Sequence, residues 1–162
     1  MLPTPLIIVV QWLHALLGIF WFGSALYVNV ILVPTLMGLP LEKQQEVSGR
    51  LAHRSSQVLL PVAAVVIVLG FLRGTVFGQL HSLADVFGGA YGVTWLVALL
   101  TGLALLGWSF FIPLKRALTR LSTAQGPEQF AAGLPRAKVL SSAELAFFAV
   151  IFTCMILMRF GL

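Results

Sequence analysis

One histidine lies deep in a long apolar stretch near the start of the chain. No Asp, Glu, Lys or Arg occurs before Glu42, so His14 falls within a segment that can cross a bilayer. At 1.5 Å per residue it lies roughly 12–14 Å from the N-terminal end of that segment. A neutral imidazole at this depth can ligate a metal ion or haem iron. The alternative is a histidine that hydrogen-bonds to another helix, and the sequence leaves both open.

The more polar and the smaller side chains of this first segment share one helical face. They recur at three- and four-residue spacing, as Gln11, His14, Gly18, Trp21, Ala25 and Asn29. Such a face is expected to point into a helix bundle. The small residues in it allow another helix or a flat ligand to approach closely.

A second set of residues with possible ligand side chains lies on one helical face of the last apolar segment. It consists of Glu144, Phe148, Ile151, Met155 and Met158, with Cys154 beside it. In an antiparallel bundle Met155 comes to about the depth of His14. A His14/Met155 pair could ligate haem b, whereas His14 with Cys154, Met155 and Met158 could hold Cu(I), which prefers soft ligands. Methionine that simply fills packing space is the alternative.

Three further polar residues are predicted to lie together near the other end of the bundle. Glu144 lies within a turn or two of the depth of His53 and Arg54. A buried carboxylate there should be paired or protonated. We expect either a structural Glu144–Arg54 bridge or a proton relay or substrate-carboxylate site that uses His53.

The elements that carry these residues are predicted to be transmembrane helices. The 162 residues are 59% hydrophobic and only 9% charged, with a mean hydropathy of +1.01, which is unlike a water-soluble domain. Four stretches have the length and low charge of a membrane span, and their Gly and Pro content favours helices over a barrel. The sequence predicts an all-α integral membrane four-helix bundle forming a single domain over 1–162, with spans of about 5–36, 52–73, 89–113 and 139–160.

Basic residues predict the orientation of the bundle. Eight lie on one side and two on the other: Lys43, Arg50, Arg54, Lys115, Arg116, Arg120, Arg136 and Lys138 against Arg73 and Arg159. Because cytoplasmic loops carry the excess of Lys and Arg, both termini are predicted to lie outside, in a bacterial inner membrane. Tyr91 and Trp95 are predicted to be interfacial anchors at the outer boundary.

The net charge of +5 does not indicate nucleic-acid binding, since the basic residues lie at span ends where the membrane explains them. No phosphate-binding glycine loop, catalytic triad or pair of catalytic carboxylates is visible. The expected surroundings are the lipid bilayer, other membrane subunits or a second copy of the chain.

Several short motifs resemble the copper-resistance D-type (CopD-like) membrane domain and the related HemJ-like proteins, which are linked to protoporphyrinogen oxidation. They are Trp12-Leu13-His14, Trp21-Phe22-Gly23, Val33-Pro34, Arg50-Leu51-Ala52-His53-Arg54, Leu60-Pro61, Leu69-Gly70, Tyr91-Gly92 and Ala143-Glu144-Leu145. The resemblance covers most of the chain. It implies a four-helix module with His14 at the position where the haem-oxidase relatives are thought to hold haem b.

Three functions therefore follow as expectations. The first is a haem b-binding module for electron transfer or tetrapyrrole redox chemistry, with His14 and Met155 as axial ligands. The second is copper handling across the membrane through the His14, Cys154, Met155 and Met158 set. The third is a non-catalytic subunit of a larger membrane complex.

Overall fold

The described part of the chain is helical. The computed structural model describes residues 4–111 and 127–162, and within them no β-strand occurs. The helices are α1 (Thr4–Tyr27), a π-helical turn (Val28–Leu32), α2 (Val33–Met37), α3 (Leu41–Gly74), α4 (Leu83–Phe87), α5 (Ala90–Phe111) and α6 (Pro127–Arg159).

Four helices in this part of the chain are long and apolar enough to cross a membrane, over Thr4–Leu36, Glu42–Gly74, Ala90–Trp108 and Val139–Arg159. The predicted all-α class and the number of apolar helices are therefore confirmed. The predicted spans 5–36, 52–73 and 139–160 each overlap one of these helices. The third predicted span, 89–113, and the connection between it and the fourth span extend into residues 112–126, which lie outside the described residues.

Consecutive long helices run antiparallel. His14 near the start of α1 meets Val66 near the end of α3, and Trp95 near the start of α5 meets Gly70 on the same part of α3. The start of α1, the end of α3, the start of α5 and the end of α6 consequently lie at one end of the bundle, which we call the terminal end. Helix α6 completes the bundle by packing against α5 and, through aromatic contacts, against α1.

Helix α1 continues into α2 through one wider turn. The Val33 N–H donates to the Val28 carbonyl five residues earlier, and the Asn29 amide donates to the Ala25 carbonyl at 2.8 Å. Pro34 follows at the start of α2, where it has no backbone N–H and donates no helical hydrogen bond. A π-type turn of this kind inserts one residue without ending the helix, so the apolar helix that begins with α1 continues to Met37.

The loop between α3 and α5 contains a short capped helix at the terminal end. Ser82 accepts a hydrogen bond from the Asp85 N–H, and the Asp85 carboxylate accepts from the backbone N–H groups of His81 and Ser82. These hydrogen bonds, that of the His81 N–H first, hold the pKa of Asp85 below its ordinary value. The carboxylate therefore stays ionised and keeps α4 capped well into the acid range.

The centre of the bundle is closed by aromatic and small side chains. The Trp21 and Phe148 rings pack edge to face with centroids 4.9 Å apart, and Phe22 lies 5.4 Å from Phe148. Small residues on the facing helices let these rings fit. The buried cluster comprises Trp21, Ala25, Ala63, Val66, Leu105 and Phe148. The outward surfaces are apolar as well, with Trp12 67% and Ile19 63% exposed, as expected for helices surrounded by lipid.

Candidate functional site

His14 is buried and held in one orientation. Only 6% of the residue is exposed, and its Nδ1 lies 3.0 Å from the Val66 carbonyl oxygen of α3. A carbonyl oxygen only accepts hydrogen bonds, so Nδ1 must carry the hydrogen and donate it. In a neutral imidazole this leaves Nε2 with a free lone pair. Fixing one ring nitrogen on a backbone carbonyl is the usual way in which proteins orient a histidine that ligates through the other.

The absence of a side chain at Gly70 lets the His14 imidazole pack closely against α3. A Cβ added at Gly70 would lie 3.0 Å from Cε1 of His14 and 3.6 Å from its Nδ1. The first distance is tighter than an ordinary van der Waals contact, so the ring lies almost on the helix backbone. A Cβ at this position would require the imidazole to shift by a few tenths of an ångström.

The Gly70→Ala variant is expected to displace the His14 ring by a few tenths of an ångström and to weaken its hydrogen bond to Val66. The free energy of unfolding should fall by about 1 kcal/mol relative to a glycine-to-alanine change in open space. Gly23→Ala is the matched control, because nothing lies within 4 Å of a Cβ added there. NMR shifts of the His14 ring in detergent should change in Gly70→Ala and stay constant in Gly23→Ala. Unchanged ring shifts in both variants would contradict this packing.

Trp95 of α5 packs over the same part of α3. Its Nε1 lies 3.4 Å from the Gly70 carbonyl oxygen, and a Cβ on Gly74 would overlap the indole ring. Trp95 is 8% exposed. Trp95, predicted to be an interfacial anchor, is thus packed against α3, because the two glycines make room for its ring beside the helix backbone.

His14 lines a cavity between the four long helices that has a volume of about 260 Å³. All four helices contribute to its predominantly apolar wall. Its residues include Gly18 of α1, Gly70 and Arg73 of α3, Tyr91 and Trp95 of α5, and Phe148, Phe152, Met155 and Met158 of α6. A Cβ added at Gly18 would meet no atom within 4 Å, so the missing side chain leaves part of this space open.

The cavity brings together only some of the predicted ligands. Met155 and Met158 line it with His14, as their stripe on α6 predicted, whereas Cys154 does not. Cys154 is buried, and it lies two turns from Phe147, which packs on Trp108 of α5. Among the described residues, no group of three His, Cys, Asp or Glu side chains could hold a metal ion. A metal here would need thioether or non-protein ligands in addition to the imidazole.

The polar group predicted near the other end of the bundle is not assembled in the structure. His53 and Arg54 are exposed on α3, and Glu144 is half-buried on α6. The described ion pairs are Lys43–Glu46 and Arg50–Glu46, both within the first part of α3, so the expected Glu144–Arg54 bridge is not formed. His53 Nε2 instead lies 3.2 Å from the Gln57 amide nitrogen one turn further along its own helix.

Sequence reasoning did not assign Gly70, Gly74 or Trp95 to the site. A signal was present, because two glycines four residues apart in an apolar helix are typical of a close helix contact. Arg73 was counted only as a charge at a span end, yet it lines the His14 cavity. Which helix approaches the two glycines depends on tertiary packing, so their partner could not be read from the spacing.

The fold and the cavity define the chain as a bundle of four apolar, membrane-length helices with one oriented histidine in its interior. Comparisons with protein-family models, with curated proteins and with solved structures find no match to the chain.

Proposed function

We propose that this protein is an integral membrane protein that binds haem b through Nε2 of His14. Its function is then electron transfer or tetrapyrrole redox chemistry, with Met155 as the candidate second axial ligand. The observation that supports the proposal is the hydrogen bond from His14 Nδ1 to the Val66 carbonyl. It leaves the Nε2 lone pair without a proton, and His14 lines a cavity together with the Met155 thioether; imidazole with thioether is a known haem-iron ligand pair.

The surroundings of His14 suit a flat apolar ligand in shape and polarity. Glycine at position 18 leaves open space beside the imidazole, and the walls are largely aliphatic and aromatic. The cavity volume of about 260 Å³ is slightly below the range of about 300–1,000 Å³ usual for small-molecule pockets. A second hollow of about 560 Å³ adjoins it through the shared residues Arg73 and Tyr91. A tetrapyrrole would use both spaces.

Bound haem supplies a one-electron redox centre. The protein's own contribution is to orient and protect it. Val66 fixes the imidazole, Gly70 lets the ring lie close to α3, and the apolar wall limits access of water. Burial of the ligand and the choice of axial ligand are the levers by which a protein sets a haem potential.

The proposed setting is a bacterial inner membrane with both termini outside. Its support is the distribution of Lys and Arg, since eight of ten lie in the segments assigned to the cytoplasmic side or at the span end that adjoins one of them. In this orientation the terminal end, where His14 and Arg73 lie, faces the outer side of the membrane.

Absorption spectroscopy of the purified protein tests the proposal. Protein from haem-replete cells is expected to show a Soret band and about one haem per chain, and His14→Ala should reduce the bound haem by at least about tenfold because the iron loses its axial nitrogen. Met155→Leu should retain haem and alter its spin state. A colourless, iron-free wild-type preparation would overturn the proposal.

Filling the cavity without touching His14 provides an independent variant. Gly18→Leu places a side chain in the open space of the cavity, and Gly23→Leu places the same side chain on the same helix outside it. Haem binding should be lost in Gly18→Leu and kept in Gly23→Leu, with similar thermal stability for both. Equal haem content in the two variants would show that haem is bound elsewhere.

A second candidate is Cu(I) binding, since His14, Met155 and Met158 line one cavity. Imidazole and two thioethers are a chemically suitable set for this soft ion. Cys154, which the sequence analysis included, is not needed for this set. Metal analysis of the same preparation distinguishes the candidates: copper without iron, lost in the Met155→Leu/Met158→Leu double variant, would favour copper over haem.

A further inference from the structure

We propose that the ligand of the His14 cavity carries a carboxylate, and that Arg73 binds this group at the terminal end with help from Gln11 and Tyr91. The inference deepens the proposed function, on which it rests, by assigning a class of ligand: an apolar body with an acidic edge, as in a carboxylate-bearing tetrapyrrole.

Arg73 lies where an apolar space and a polar space meet. It lines both the His14 cavity and the adjoining hollow of about 560 Å³. Within residues 4–111 and 127–162, the ion pairs involve only Lys43, Glu46 and Arg50, so no described carboxylate neutralises Arg73. A guanidinium without an acidic partner at the edge of an apolar cavity is suited to a planar anion, which it can bind through two parallel hydrogen bonds.

Gln11 gives a second, independent indication. It lines the hollow with Arg73, and its side-chain Oε1 is buried without a hydrogen-bond partner among the described residues. The amide nitrogen of the same side chain is an N–H donor. A carboxylate held by Arg73 in the hollow would accept from it.

The two spaces differ in the way that an amphipathic ligand requires. The His14 cavity is walled largely by apolar side chains, whereas the hollow is lined by Gln11, Arg73, Gln79 and Tyr91 together with apolar neighbours. A ligand of this kind needs a positively charged partner only beside its carboxylate. Arg73 lies at that position, where the apolar cavity meets the polar hollow. A position for Arg73 in the last turn of α3 also suits the helix dipole, but the dipole does not account for its place in the lining of both spaces.

The experiment compares metal-free protoporphyrin IX, which has two carboxylates, with its dimethyl ester in fluorescence titrations of the full chain in nanodiscs. Wild type is expected to bind the diacid about tenfold more tightly than the ester, since a bidentate ion pair is lost in the ester. Arg73→Gln should remove this preference, and Arg73→Lys should retain part of it. Arg159→Gln is the matched control, because it removes the same charge at the same end of the bundle from a residue that lines neither space.

The metal-free probe separates this inference from the proposed function. It needs no axial ligand, so His14→Ala should still prefer the diacid. If the diacid binds in an Arg73-dependent way while haem gives no His14-dependent spectrum, the haem proposal fails and the carboxylate site stands. Equal affinity of wild type for diacid and ester, or no binding of either, would overturn the inference. An equal loss in Arg73→Gln and Arg159→Gln would overturn it too, because general charge would then be the cause.

Discussion

Changing Gly74 to alanine is expected to lower the free energy of unfolding by about 3 kcal/mol, or about 6–12 °C in Tm for a chain of this size. An added Cβ would lie 2.6 Å from Cδ1 and Cε2 of Trp95 and still closer to its Nε1. Backbone and a rigid indole ring cannot both keep their places at such distances. The ring must leave α3, and the wall of the His14 cavity that it forms should be lost with it.

A double-mutant cycle measures this overlap directly. In a Trp95→Ala background the Gly74→Ala change should cost almost nothing, because the ring that it meets is gone. Gly107→Ala on α5 is the control for helix propensity, since a Cβ there would have nothing within 4 Å. Thermal unfolding in detergent gives the stabilities that the cycle compares: those of wild type, the two single variants and the double variant. Equal costs of Gly74→Ala in the two backgrounds would contradict the packing of Trp95 on Gly74.

Truncation of Phe148 to alanine is expected to destabilise the bundle by about 3–5 kcal/mol, the usual cost of removing a buried phenylalanine. Phe148 is 3% exposed and touches the rings of Trp21 and Phe22. It joins α6 to α1, the pair of helices that otherwise makes few contacts. Loss of the ring should therefore separate these helices and open the cavity between them.

Phe160→Ala is the matched control for this truncation. Phe160 follows α6 and is 76% exposed, so its removal should change stability by about 0.5 kcal/mol or less. Limited proteolysis and thermal unfolding in detergent should place Phe148→Ala well below both Phe160→Ala and wild type. If Phe148→Ala matched Phe160→Ala, the aromatic cluster would not be the contact that holds α6 to α1.

The helices were predictable because a bilayer imposes a minimum length on an apolar, uncharged segment. The inward face of α1 was predictable too, since polar and small residues at helical spacing indicate which side meets other helices. His14, Trp21 and Ala25 of that stripe are buried. The π-helical turn at Val28–Leu32 was not predicted, because its wider hydrogen-bond pattern has no sequence period of its own.

The site residues were predictable only where their depth along the span and their helical face determine which side chains meet. Antiparallel spans place Met155 near the level of His14, and both residues line the same cavity. Cys154 fell on a neighbouring face, because one step along a helix rotates a side chain by about 100°. The Val66 carbonyl as the partner of His14 could not be predicted, since every backbone carbonyl of α3 is chemically alike and only the register between helices selects one.

That hydrogen bond has a consequence for biosynthesis. His14 and Val66 lie 52 residues apart and belong to the first two long helices, so both are synthesised before Trp95 and Met155. The imidazole can therefore be oriented before the last long helix is complete. Its later neighbours then close around a ring whose direction is already set.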